Sequence, residues 1–186
     1  CVTQSLHGQV TDKLTGLHNR HAFYHFAKRM MDHAPDANYT IILSDIENFK
    51  RINERFGEAM GDKLLRYVGR TLDKMNSEDV LFARYGGDQF VGILKTSSLN
   101  MEFKPELLEQ AMIPFYEQAP IPHFTVQFGV YDHVDTSLPV SIMCDRALMA
   151  LKTIKHQYGH NIGVYTLELQ QKVEKEQRIL DSMEQA

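Results

Sequence analysis

The chain has 186 residues, 43% of them apolar and 24% charged, enough for one globular domain with its own hydrophobic core. Its 20 basic and 24 acidic side chains leave a net charge of −4, which argues against the basic footprint of broad nucleic-acid binding but not against a mononucleotide held by a few cations, amides and metal ions. No apolar run is long enough for a bilayer, no secretory signal is visible, and two cysteines, Cys1 and Cys144, make neither a disulfide framework nor a thiolate metal site. The expected setting is a reducing cytoplasm, with no membrane contact by this segment. A start at Cys1 rather than Met reads as a piece of a longer protein.

In chain order, His21 to His33 has helical spacing, with Phe23, Phe26, Ala27 and Met30 on one stripe. Tyr39 to Leu43 is an apolar, β-rich run that leads straight into Asp45, as a central strand ending at a carboxylate would. Ala59 to Met75 is a helix with Leu64, Leu65, Val68, Leu72 and Met75 on its core face. Val80 to Ala83 and Phe90 to Leu94 are strands around Gly86-Gly87, a hairpin signal. Pro105 to Gln118 reads as a helix entered through proline. Phe124, Val126, Phe128 and Val130 alternate as a strand, Pro139 to about His156 is a helix, and Ile162 to Tyr165 is a last strand. The tail from Glu168 is helical but thinly apolar, anchored by Leu169, Val173, Leu180 and Met183, and suits a connector. Hairpins mixed with crossover helices predict an α+β domain with a central, mostly antiparallel sheet flanked by helices.

Three segments carry candidate chemistry. Asp45 at a strand end is placed to hold Mg²⁺ or Mn²⁺ through oxygen, or simply to cap the next helix. Gly57 and Gly61 bracket a helix start, where bare backbone admits close approach; nearby, the amide of Asn53 and the carboxylate of Asp62 suit the donor and acceptor edges of guanine. Gly86-Gly87 fits a plain hairpin, and equally a place where phosphates reach the main chain beside Asp88, a second metal ligand. Two carboxylates at neighbouring strand ends form a metal-assisted phosphate site. His21 and His25, four apart, have no third ligand in view and read as structural.

These segments stand in an order that resembles the GGDEF family. Asp12-Lys13-Leu14-Thr15-Gly16-Leu17-His18-Asn19-Arg20 is similar to its D-x-L-T-G-L-x-N-R motif. Asp45 to Asp62 is similar to D-x-x-x-F-K-x-x-N…G-x-x-x-G-D, Arg84 to Phe90 to R-Y-G-G-D-E-F, and Asp145 to Lys152 to the A-D-x-A-L-Y-x-A-K helix. The resemblance covers roughly residues 10–166 and implies a palm-like, nucleotidyl-cyclase-type fold over 12–166, with a connector at 1–11. It implies that Asp45, the Ile46 carbonyl and Asp88 hold Mg²⁺, and that Asn53 and Asp62 read guanine. Phe49, Lys50, Gly86, Gly87 and Lys152 would lie along the phosphates. In active members a homodimer brings two GTP molecules face to face. Each 3′-hydroxyl attacks the other's α-phosphate, pyrophosphate leaves and cyclic di-GMP forms. The tail 167–186 resembles the helix that joins such a domain to a downstream EAL phosphodiesterase.

The sequence departs from the family pattern at telling places. Gln89 stands where the signature has Glu; it keeps the shape but loses the charge that binds metal or accepts a proton. Glu58 replaces a common His, and Gly159-His160-Asn161 stands for Gly-Arg-Asn after about one extra helical turn. The R-x-x-D product-inhibition site falls on Ser77 and Val80, so no inhibitory site is expected. The leading expectation is a degenerate GGDEF domain that binds GTP and Mg²⁺ and regulates an attached EAL domain. The alternatives are an active diguanylate cyclase that tolerates Gln89 and a nucleotide-free dimerisation scaffold.

Overall fold

The computed structural model describes residues 10–99, 105–155, 157 and 159–185. The expected connector over residues 1–11 lies outside them as far as residue 9, as do His156 and Ala186 at two expected helix ends. The elements are α1 (Arg20–His33), β1 (Tyr39–Ile46), α2 (Phe49–Phe56), α3 (Glu58–Asp73), β2 (Val80–Gly86), β3 (Gln89–Lys95), α4 (Pro105–Gln118), β4 (Val126–Tyr131), α5 (Val140–Ile154), β5 (Ile162–Val164) and α6 (Leu167–Glu184).

The strands form one sheet in the order β2-β3-β1-β4-β5. Every pairing is antiparallel except β4 with β5. The α+β, mostly antiparallel architecture expected from the sequence is the one observed. Strand β1 sits in the middle, and its alternate side chains feed two cores because helices cover both faces. Ile41 and Leu43 join Phe23 and Ala27 of α1 and Met143, Ala147 and Leu151 of α5. Ile42 and Ile46 join Leu64, Leu65 and Val68 of α3 and Leu108 and Met112 of α4. Helix α6 buries none of its residues and leaves Leu167, Ile179, Leu180 and Met183 exposed.

Three local differences from the sequence reading have physical causes. Helix α2 was not expected between Asp45 and Gly57. It is only eight residues long, and its apolar residues are Phe49, Ile52 and Phe56, at i, i+3 and i+7, a short trace of a helical period. The hairpin turn is Gly87-Asp88, because Gly86 pairs with Gln89. Gly87 takes a φ of +56° at the first turn position, which a type II′-like connection requires. The core stripe of α1 is turned slightly, burying Ala22 and Met31 with Phe23 and Ala27.

Helix α5 lies very close to β4. A Cβ built on Gly129 would stand 2.0 Å from the Ala147 carbonyl oxygen and 2.6 Å from the Leu151 nitrogen. Both obstacles are backbone, so no side-chain rotation relieves the clash. We expect Gly129→Ala to cost about 3 kcal/mol, read as a lower denaturation midpoint with an unchanged slope in urea.

Candidate functional site

Asp45 and Asp88 reach the same recess from different parts of the sheet. Asp45 is the seventh residue of β1, on the face that carries Ile41 and Leu43, and is only 4% exposed. Asp88 sits in the β2–β3 turn, and its Oδ2 accepts the Ile46 amide at 3.1 Å. That bond ties the turn to the end of β1. The recess, about 220 Å³, is lined by Asp45, Ile46, Asp88 and Gln127, by Glu47 and Asn48, by Phe49 and Lys50 of α2, and by Lys155. A larger groove of about 550 Å³ runs along another side of α2, past Arg51, Arg55 and His123, and holds neither carboxylate.

The recess sets buried carboxylate charge against a single close ammonium. Asp45 Oδ1 is buried without a hydrogen-bond partner among the described residues, while Oδ2 is 2.7 Å from the Lys155 ammonium. Burial raises the Asp88 carboxyl above the ordinary aspartate value, and the charge of Asp45 raises it further, against the pull of the Ile46 and Asp88 amides and of Lys155. Each of these carboxylates would gain from a second positive charge. The donor set of two carboxylates with the Ile46 carbonyl alongside suits a hard divalent cation such as Mg²⁺ or Mn²⁺, and Asp45, Ile46 and Asp88 would hold it.

The expected guanine readers come from α2 and α3. Asn53 packs directly on Gly61, where a Cβ would fall 1.8 Å from Asn53 Oδ1 and 3.1 Å from the Phe49 ring. Glycine at 61 therefore lets the two helices meet and seats Asn53 beside the chain neighbour of Asp62. Asn53 Oδ1 is buried and has no partner among the described residues. Such an orphan acceptor costs roughly 1–3 kcal/mol and is a place for a ligand N–H.

The other expected residues divide. Phe49 and Lys50 line the recess; Lys50 is exposed and pairs loosely with Glu54 at 3.7 Å. Gly86 and Gly87 are exposed at the hairpin tip. Gln89 is half-buried at the start of β3 and is not among the recess residues. Lys152 is exposed on α5 and does not line the recess either; Lys155, one turn on, does. Sequence reading did not single out Lys155 because nothing local distinguishes it from Lys152.

Sequence reading also gave no task to the N-terminal motif, which turns out to brace the signature turn. Thr15 donates from both its amide, at 2.9 Å, and its hydroxyl, at 2.7 Å, to Asp12 Oδ2. Asp12 in turn accepts Arg84 Nη1 at 3.2 Å. The same guanidinium donates to the Gly87 carbonyl from Nε, at 3.1 Å, and from Nη2, at 2.6 Å. From the other side Arg20 Nε donates to the Tyr85 carbonyl at 3.0 Å, with its guanidinium 3.9 Å above the Tyr85 ring. The turn that carries Asp88 is thus held by two arginines.

The family model described as diguanylate cyclase, GGDEF domain, matches residues 9–161, and the chain belongs to that family. It is 32% identical over 129 residues to the diguanylate cyclase DgcM of Escherichia coli K12, covering 68% of this chain and 32% of that protein. It is 31% identical over 107 residues to the cyclic di-GMP phosphodiesterase PdeR of the same organism, covering 56% of this chain and 16% of that protein. The chain therefore spans about a third or less of the length of these two relatives. The solved GGDEF domain of PA1120 (TpbB or YfiN) from Pseudomonas aeruginosa superposes with a TM-score of 0.71 at 24% identity, covering 88% of this chain and 99% of that one. The domain is one of cyclic di-GMP signalling.

The Asp12 clamp makes stability depend on pH. Burial pushes the Asp12 carboxyl up, but the Thr15 hydroxyl and amide and the Arg84 guanidinium outweigh it and hold it below 3.8. A depressed folded value means stabilisation that is complete above the unfolded value and is lost as pH falls through the folded one. Asp12→Asn should cost about 1–3 kcal/mol at pH 7. The gap from wild type should close as pH drops below the unfolded value, as followed by urea denaturation across pH 2–7.

Proposed function

We propose that this domain binds GTP with a divalent cation and uses its occupancy to regulate an attached domain, rather than to turn over GTP efficiently. The observation that carries this reading is the pair of buried oxygens, Asp45 Oδ1 and Asn53 Oδ1, that have no partner among the described residues. The first belongs to a residue that lines the recess; the second lies, with the tip of the Phe49 ring, against Gly61, and Phe49 also lines the recess. A ligand with a cation-bound phosphate chain at one end and N–H donors at the other would satisfy both. The cation would neutralise phosphate charge between Asp45 and Asp88. Phe49 and Lys50 would flank the phosphates, and Asn53 and Asp62 would accept from guanine.

The amide at Gln89 motivates the regulatory half. It supplies neither the negative charge nor the proton acceptor of a glutamate. The domain would extend over residues 12–166, with α6 as a linker to a downstream EAL phosphodiesterase. Support comes from the exposure of α6 and from the likeness of this chain to part of PdeR, which is named for hydrolysis and not synthesis. For GTP to act as a signal it must favour one arrangement of the two domains over another.

A second reading, an active cyclase working as a homodimer, is favoured by one observation: the two carboxylates still converge on one recess. Calorimetry of GTP with Mg²⁺, followed by a product assay on the same sample, separates the two. The expected outcome is saturable binding, weakened at least tenfold by Asn53→Ala or Asp88→Ala, with no cyclic di-GMP formed. Product that disappears in Asp88→Ala would establish the cyclase instead. Absence of any GTP binding would remove both readings and leave a scaffold.

A further inference from the structure

The positive charge opposite Asp45 comes from a place the sequence did not point to. Strand pairing sets Gln127 of β4 directly beside Asp45. Gln127 is buried, and its Nε2 donates to the Ile154 carbonyl at 3.5 Å, at the last turn of α5. Helix α5 ends there. Lys155 comes next with an extended backbone, φ −57° and ψ 129°, and its ammonium lies against Asp45 Oδ2 at 2.7 Å. Its side chain is 42% exposed, whereas that of Asp45 is 5% exposed. One partner can therefore swing into water and the other cannot.

We propose that Lys155 is a resident counter-ion that competes with the divalent cation for Asp45 and so sets the cation affinity of the site. This rests on the reading that Asp45 and Asp88 hold a cation. A lysine that neutralises Asp45 offsets the cost of burying that carboxylate in an empty site. The same ammonium and a divalent cation repel each other across one carboxylate, so cation binding displaces Lys155 into solvent. The contact is a partial one, since Oδ1 keeps no partner among the described residues, and this leaves the exchange accessible. The domain then holds a cation weakly in the empty recess and more tightly when the phosphates of a nucleotide add negative charge there.

The test is Mn²⁺ binding to the 186-residue chain without nucleotide, read from the electron paramagnetic resonance of free aqueous Mn²⁺, for wild type, Lys155→Met and Lys155→Arg. Removing the charge should lower the Kd for Mn²⁺ about tenfold or more, and Lys155→Arg should stay at the wild-type value. Without metal, Lys155→Met should melt below wild type, and added Mn²⁺ should raise its Tm more than that of wild type. Lys155→Gln serves the same comparison where the methionine variant does not fold. Equal Kd values for wild type and Lys155→Met, or tight binding by Lys155→Arg, would overturn the lysine's role and leave the cation site standing. If neither wild type nor Lys155→Met binds Mn²⁺, alone or with a non-hydrolysable GTP analogue, the cation reading itself falls, and this inference with it.

Discussion

A carboxylate on the middle strand of a sheet covered on both faces costs several kcal/mol unless cations or hydrogen-bond donors reach it. At Asp45 the strand geometry is fixed by its neighbours: Ile41 and Leu43 on one face and Ile42 and Ile46 on the other are locked into two separate cores. Sliding β1 by one residue would turn every one of these side chains to the wrong face. The position of Asp45 is therefore set by the packing of the whole domain, and the charge has to be met where it stands. The Asp88 turn, the end of α5 and the recess between them are arranged around that requirement.

The signature turn itself has little to hold it. Its two glycines contribute no side chains, and its tip is exposed. Its position comes from the Asp88 bond to the Ile46 amide and from Arg84 and Arg20, and Arg84 is oriented by Asp12, which is oriented in turn by Thr15. A planar guanidinium can hold a carboxylate and a carbonyl at once, which a lysine cannot do with the same geometry. Segments more than 60 residues apart thus form one rigid unit, and the N-terminal motif and the signature are two halves of a single structure.

Much of this was legible in the sequence where a local period dictates structure. The apolar run into Asp45 marked β1, and the spacing of Leu64, Leu65, Val68 and Leu72 marked α3, because burial on one side imposes those periods. Helix α2 escaped because its eight residues offer barely two turns of a period and most of them are polar. The turn was displaced by one position since Gly86 and Gly87 are locally equivalent, and only the pairing of Gly86 with Gln89 separates them. Asp45 and Asp88 could be named as carboxylates at neighbouring strand ends. Lys155 could not, for its relevance depends on where α5 stops and on the contact of Gln127 with Ile154, a tertiary event with no local trace. The same holds for Asp12 and Arg20.

The way α6 is rooted has a mechanical consequence. Tyr165, just after β5, is buried against Tyr131 of β4, with the Arg146 guanidinium close to both rings, and its hydroxyl bonds Gln170 in the first turn of α6. Thr166 caps the same turn through the Leu169 amide. A helix of 18 residues is a rod about 27 Å long, and this one is clamped at its first turn, where Leu169 packs against the core, and buries none of its residues. Its geometry is that of a lever. A tilt of the β4–β5 edge by about 10° would carry the far end through roughly 5 Å, on the 1.5 Å rise per residue of an α-helix. β4 is the strand that sets Gln127 beside Asp45, so the fulcrum of such a tilt would lie next to the recess.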